Sequence, residues 1–281
     1  MQVDKIRQIT IDEILQRYAV VLLDAYGVLV HSSGALPGAS EFVDRLNRSR
    51  KAYYLLTNDA SKLPETAAAR YQGFGLALDA ARIVTSGTLL KYYFARHHLV
   101  GARCVVLGPQ DSFRYVEMAG GRVVSATDRF DVVVVCDEAG FSFLETVDAV
   151  LTGLFHKIDR QEQIQLVLPN PDLIYPKADG GFGITSGSIA MVLEAAMQRR
   201  YPDRQGLQFV RLGKPETPIF QEALQRSGTR NMVMIGDQLE TDIRGASAFG
   251  LDSVLITGGV SSAELSAVRP TYWMPSLMHA Q

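Results

Sequence analysis

A chain of 281 residues, 47% hydrophobic and 21% charged, is long enough to bury a full core and to divide into two domains. Its net charge of −2 carries no nucleic-acid footprint, and no apolar run approaches the ~20 residues that a membrane helix needs. Cys104 and Cys136 sit inside apolar runs and read as small core residues, not a disulfide or a metal pair. The expectation is a soluble cytoplasmic protein with neither nucleic acid nor membrane among its partners.

Thr10–Tyr18 reads as a short helix with Asp12 and Glu13 in its first turn, where the helix dipole favours acids. Val20–Val30 follows: an unbroken apolar run reaches Asp24, and Gly27 then marks a turn. His31–Pro37 is a Ser/Gly-rich loop, and Ala39–Arg50 is amphipathic, with Phe42, Val43 and Leu46 on one face. Ala52–Leu56 is a second strand, ending in Thr57-Asn58-Asp59. Strand, helix and strand in that order predict parallel pairing with a right-handed crossover. Leu63–Phe74 predicts a helix with Pro64 in its first turn, Arg82–Val84 a short strand and Ser86–His98 a helix. The alternation restarts near Gly101, with strands over Arg103–Leu107, Asp131–Cys136 and Ile164–Leu168. Helices are expected over Asp111–Ala119, Phe143–Lys157 and Gly187–Gln198. The first pattern resumes near Phe209: Val210–Leu212, a helix from Pro215 to Leu224, a strand Asn231–Ile235, a helix Leu239–Phe249 and a strand Ser253–Ile256.

At three places an apolar strand ends and polar residues follow at once: Asp24, Thr57-Asn58, and Asp237 with Asp242 behind it. Sites in open α/β sheets form outside the carboxyl ends of strands. Each residue also has an ordinary explanation. Asp24 could form a strand-end turn, Asp237 or Asp242 could cap a helix, Thr57 could cap the next segment, and Lys214 could be a surface lysine. Taken together, three carboxylates without His or Cys form a hard oxygen set suited to Mg²⁺. A carboxylate nucleophile, a hydroxyl and a lysine beside such a set fit phosphoryl transfer through an aspartyl-phosphate.

These residues resemble the motifs of the haloacid dehalogenase superfamily. They are Asp24-Ala25-Tyr26-Gly27-Val28-Leu29, Leu55-Leu56-Thr57-Asn58, Gly213-Lys214-Pro215, and Gly236-Asp237 through Thr241-Asp242, in family order. Thr85-Ser86, Asn170-Pro171-Asp172 and Gly183–Glu194 resemble landmarks of its class IIA branch, which holds nitrophenyl-phosphatase-like and sugar-phosphatase-like proteins. The resemblance implies an α/β fold: a Rossmann-like, doubly wound parallel-sheet core from residues 1–100 and 199–281, with an inserted α/β cap from 101–198. It implies Asp24 as nucleophile and Mg²⁺ ligand, the backbone carbonyl of Tyr26 and Asp237 as further ligands, and Asp242 as support through metal-bound water. Thr57 and Lys214 would hold the phosphate. Gly27, Asn58, Asp59, Asn170 and Asp172 would lie along the substrate, a small phosphorylated metabolite such as a sugar phosphate. The branch also pairs through its caps, so a homodimer is an expected assembly.

Two positions depart from the family pattern. Phosphatases of the family carry a second Asp two residues after the nucleophile, which protonates the leaving group and then activates water. Here the position is Tyr26. A phenol is a weaker acid than a carboxylic acid and, protonated, a poor base, so general acid–base help worth ~10²–10⁴ in rate is put in doubt. Asp59 stands where the branch usually has Asn. It would partly replace the missing acid, repel phosphates that lack a cation, or cap the segment after Ser61. The expected function is a Mg²⁺-dependent phosphatase of small monoesters with weakened acid–base catalysis. The alternatives are a phosphate-ligand-binding protein that has lost turnover, and a metal-free 2-haloacid dehalogenase, whose opening motif Asp-Ala-Tyr-Gly resembles but whose fourth motif lacks the paired acids.

Overall fold

The computed structural model describes residues 6–177, 181–257 and 268–278. The chain forms two compact units. One comprises Met1–Thr57, Pro64–Val84 and Lys214–Gln281, the other Asn58–Leu63 and Thr85–Gly213.

The first unit is built on a seven-stranded sheet. Its order is Arg7–Gln8, Tyr272–Met274, Asp252–Ile256, Met232–Gly236, Val20–Leu23, Ala52–Thr57, Ile83–Thr85. Pairing is parallel from Arg7–Gln8 through Ala52–Thr57. All four residues of Val20–Leu23 are buried, as expected of a central parallel strand that is apolar on both faces. The core joins Val21, Leu23, Leu55, Val233 and Ile235 to Phe42, Val43 and Leu46 of the helix Ala39–Arg48. From Val20–Leu23 the chain first builds one side of the sheet. It resumes on the other side at Met232–Gly236, so the winding reverses between these two neighbours. At such a switch point a crevice opens beyond the strand ends. The helix Ile11–Arg17 begins at a reciprocal cap. The Glu13 N–H donates to the Thr10 hydroxyl at 3.2 Å, and the Thr10 N–H donates to the Glu13 carboxylate at 2.9 Å.

The second unit carries a five-stranded, wholly parallel sheet: Val210–Arg211, Gln165–Leu168, Val132–Val135, Arg103–Leu107, Arg122–Val123. Val133, Val135, Leu166 and Leu168 pack on Leu154 of the helix Phe143–Asp159 and on Ile189 and Leu193 of the helix Ser186–Arg200. This unit takes in residues 85–100 and 199–213, which the family resemblance places in the core. Hydrogen bonding explains why. Val210–Arg211 pairs with Gln165–Leu168, so it belongs to this sheet. The Tyr115 hydroxyl donates to the Lys62 carbonyl at 2.5 Å and meets the Thr85 hydroxyl at 2.5 Å. The Ser112 hydroxyl donates to the Ala60 carbonyl at 2.8 Å.

Other local differences are small. His31–Pro37 contains part of a tight hairpin, Val30–His31 against Gly34–Ala35. A second hairpin pairs Ile174–Pro176 with Phe182–Ile184. Ser86–His98 divides into a 3₁₀ turn, Ser86–Leu89, and an α-helix, Leu90–Arg96. The helix after Lys214-Pro215 starts at Thr217, with Pro218 in the first-turn position that lacks a needed N–H. Among the described residues no helix is long and apolar enough to cross a membrane.

Candidate active site

Strand register brings the polar residues together. Leu23 is level with Leu55 on one side and Ile235 on the other. The next one or two residues on these parallel strands are Asp24, Thr57 and Asp237, which therefore leave the sheet at the same end. The Asp24 N–H donates to the Ile235 carbonyl at 3.0 Å, which fixes the nucleophile candidate against the neighbouring strand. Asp242 arrives through a π turn, Leu239–Ile243, in which the Asp242 and Ile243 N–H groups both donate to the Gln238 carbonyl, at 3.1 and 3.2 Å. Such single π turns recur at functional sites because they re-aim one side chain.

Lys214 ties the acids together. Its Nζ donates to Asp24 Oδ1 at 2.5 Å and to Asp242 Oδ1 at 2.7 Å. The Gln238 N–H donates to the other oxygen of Asp242 at 3.2 Å. Asp24, Lys214, Asp237 and Asp242 are all buried. An ammonium beside Asp24 would normally hold its carboxyl low. Burial, with Asp242 and Asp237 close by, outweighs Lys214 and pushes the Asp24 carboxyl well above the usual range. For Lys214 burial pulls downward, but Asp24 and Asp242 prevail and raise it above the ordinary lysine value. Burial acts on both groups: the neighbouring carboxylates add to it at Asp24, and Asp24 and Asp242 outweigh it at Lys214.

The acids fit a divalent cation on their chemistry. One oxygen from each of Asp24, Asp237 and Asp242 lies within 4.8 Å of the others, and an all-oxygen, buried, anionic set suits Mg²⁺. Two glycines make room for the acid side chains. Gly27 has φ +81°, and a Cβ there would lie 2.1 Å from Asp237 Oδ2. At Gly236 a Cβ would lie 2.3 Å from the Asp242 Cβ.

The Tyr26 ring packs on the core of the first unit. Its hydroxyl accepts from Arg70 Nη2 at 2.6 Å, on the helix Pro64–Gly73. Arg70 was not singled out by any sequence pattern.

Asn58, Asp59, Asn170 and Asp172 belong to the second unit. Asn58 Nδ2 donates to Asp172 Oδ1 at 2.9 Å, and the Asn58 carbonyl accepts from the Ser86 hydroxyl at 2.6 Å. Asn170 Nδ2 donates to the Thr185 hydroxyl at 3.2 Å, and Asn170 Oδ1 accepts from the Asp172 N–H at 3.0 Å. Gly187 closes this corner, since its N–H donates to the Asp172 carbonyl at 2.9 Å and a Cβ there would sit 2.5 Å from that oxygen. The class IIA landmarks thus meet around the start of the helix Ser186–Arg200. Asp59 Oδ1 accepts from the Ser61 N–H at 2.7 Å and the Ser61 hydroxyl at 2.6 Å, while Lys62 pairs with Oδ2 at 3.3 Å. That is the geometry of a turn-forming Asp.

Comparison with known proteins points the same way. Residues 21–122 match the family model of haloacid dehalogenase-like hydrolases, and residues 211–280 match a second model of that kind. A dihydroxyacetone phosphatase of Corynebacterium glutamicum is 28% identical over 91% of this chain and 88% of its own length. A possible sugar phosphatase of Cytophaga hutchinsonii superposes with a TM-score of 0.83 at 26% identity, covering 98% of this chain and 100% of its own. A glycerol phosphate phosphatase of Mycobacterium tuberculosis, solved in complex with magnesium, superposes with a TM-score of 0.77 at 27% identity, over 94% of this chain and 76% of that one.

Proposed function

From the premise that the chain belongs to the haloacid dehalogenase-like hydrolases, in their class IIA branch, we propose that it hydrolyses small phosphate monoesters with Asp24 as nucleophile. The observation that carries this reading is the buried cluster of Asp24, Asp237, Asp242 and Lys214 at the switch point of the sheet. Asp24 attacks phosphorus through the oxygen that Lys214 does not take. The phosphorus–oxygen bond to the leaving group breaks, and the phosphoryl group passes to Asp24. Lys214 fixes the orientation of Asp24 and supplies positive charge where the phosphoryl oxygens gather it. The Thr57 hydroxyl and N–H serve the same oxygens from the neighbouring strand. Asp24, Asp237 and the Tyr26 carbonyl, with Asp242 behind them, would hold Mg²⁺, which would supply Lewis-acid neutralisation of the phosphoryl group. Water then releases phosphate and restores the Asp24 carboxylate.

The Tyr26 hydroxyl accepts from Arg70, so this chain runs the two proton transfers without a carboxylic acid at that position. Turnover should be slow on alkyl esters and faster on esters with good leaving groups. A second reading, a phosphate-ester-binding protein without turnover, draws on the same contact. Its homologues' names, the dihydroxyacetone, sugar and glycerol phosphate phosphatases, favour catalysis and a small phosphorylated substrate. A phosphate-release panel with and without Mg²⁺ separates the readings. Asp24→Asn should abolish release, and Tyr26→Asp should raise it, by ~10-fold or more if a general acid is restored. A folded Tyr26→Asp chain with no gain would count against this account of Tyr26. Mg²⁺-dependent binding with no release would leave the binding-protein reading standing.

A further inference from the structure

Arg70 has a feature that the reaction above does not use. It is half-buried on the helix Pro64–Gly73. Its Nη2 donates to the Tyr26 hydroxyl, and its guanidinium carbon lies 5.6 Å from the Tyr26 ring centroid and 5.5 Å from that of Phe74. Some arginines of this unit have acidic partners, Arg45 with Asp12, Arg226 with Glu222 and Arg244 with Glu240, whereas Arg17 and Arg70 each donate to a tyrosine hydroxyl and lie over its ring. Among the described residues no carboxylate pairs with Arg70.

Three physical consequences follow. A partly desolvated cation without a counter-ion gains more from an incoming anion than an exposed one does. The two rings and the phenol fix the guanidinium, so little side-chain entropy remains to be lost when it grips a ligand. Of its five N–H donors the phenol takes one, and the others keep the planar fork that matches a carboxylate. Placement supplies the link to the reaction. Tyr26 follows Asp24 by two residues, a backbone span of at most ~7 Å. Its side chain then extends from the nucleophile's loop to Arg70.

Resting on the phosphatase reading, we propose that Arg70 binds a second anionic group on the leaving part of the substrate. The preferred ester is then a small phosphorylated carboxylic acid whose carboxylate stands several bonds from the phosphate. The plain alternative is that Arg70 only packs Tyr26 in place, in which case it is indifferent to the charge of the substrate.

3-Phosphoglycerate and glycerol 3-phosphate separate the two, because they differ at one end only, a carboxylate against a hydroxymethyl group. The natural chain should favour the acid in kcat/KM. Arg70→Gln and Arg70→Met should each cut the acid-to-neutral ratio by about tenfold or more, through KM more than kcat. Arg70→Lys keeps the charge without the fork and should recover part of that ratio. The same ratio is read without turnover, as dissociation constants from calorimetry with Mg²⁺, by placing each change on an Asp24→Asn background. A ratio that stays at the natural value in whichever of the Gln and Met variants folds would overturn the proposal, as would an equal loss on both esters. If neither ester is hydrolysed but the calorimetric ratio still falls with Arg70, the phosphatase reading fails and the Arg70 assignment stands.

Discussion

Gly27 is where one methyl group should cost most. Its φ of +81° disfavours any side chain, and the added Cβ would sit on the Asp237 carboxylate. Gly27→Ala should lose ~1–3 kcal/mol of stability to backbone strain. It should lose activity on the order of 10²-fold because Asp237 must move. Parallel measurement of urea midpoints and phosphate release checks both. A variant of natural activity would show that the position of Asp237 is not critical. At this scale the sequence carried much of the site. Asp24 and Asp237 stand just past apolar strands whose parallel register brings them together, and the π turn Leu239–Ile243 adds Asp242. Arg70 was illegible for a plain reason: it reaches Tyr26 from 44 residues away on a helix surface, where an arginine is ordinary. Nor does spacing reveal that Asp59 is engaged by Ser61 and Lys62, since the same letters suit a turn or a substrate contact.

Among the elements, the strand Val132–Val135 ends with a titratable load of its own. Just beyond it, Asp137 accepts from the Ala139 N–H at 3.0 Å. Burial pushes its carboxyl up to about 6, with Glu138 and Asp59 adding to the effect and Lys62 opposing it. A carboxyl whose folded value is raised above its unfolded value of 3.8 stabilises the fold below about pH 4. That contribution is lost as pH rises through about 6, where the buried group must ionise. Asp137→Asn keeps the oxygen that accepts from Ala139 and removes the charge. It should therefore stabilise the chain by on the order of 1–3 kcal/mol above pH 7, with the advantage shrinking to nothing toward pH 4. Denaturant titrations at pH 8, 6 and 4.5 test this, and an advantage independent of pH would refute it. Element type was legible where periodicity ran long, as in Phe143–Asp159, or where β-branched residues ran unbroken, as in Val132–Val135. The hairpin Ile174–Pro176 with Phe182–Ile184 was not, because three-residue strands carry no measurable alternation and one contains Pro. Val210–Leu212 reads as a strand, but an apolar run does not name the strand beside it, and Val210–Arg211 pairs with Gln165–Leu168.

For the whole molecule, the division of labour between the units sets what a metal should do. The chain passes between the units four times, after Thr57, Leu63, Val84 and Gly213, yet every acid of the cluster belongs to the first unit. The alternation that restarts near Gly101 announced a second unit, while the hydrogen bonds that draw in 85–100 and 199–213 connect residues far apart in sequence. In the folded chain three buried carboxylates crowd together, with Lys214 bonded to Asp24 and Asp242, and their mutual repulsion opposes folding. In the unfolded chain they are apart and bind no cation as a set. Mg²⁺ should therefore stabilise the fold by mass action, by ~2.7 kcal/mol at a concentration 100 times its dissociation constant. For a chain of this size that is several degrees in Tm. Asp237→Asn makes the argument discriminating. It removes a proposed Mg²⁺ ligand, so the Mg²⁺-induced rise should vanish. It also removes one of three crowded charges, so without Mg²⁺ the variant should melt no lower than the natural chain. Thermal melts in EDTA and in millimolar Mg²⁺ read both at once. A variant that melts lower in EDTA and still responds to Mg²⁺ would mean that Asp237 stabilises the fold as a hydrogen-bonding group and that the cation binds elsewhere.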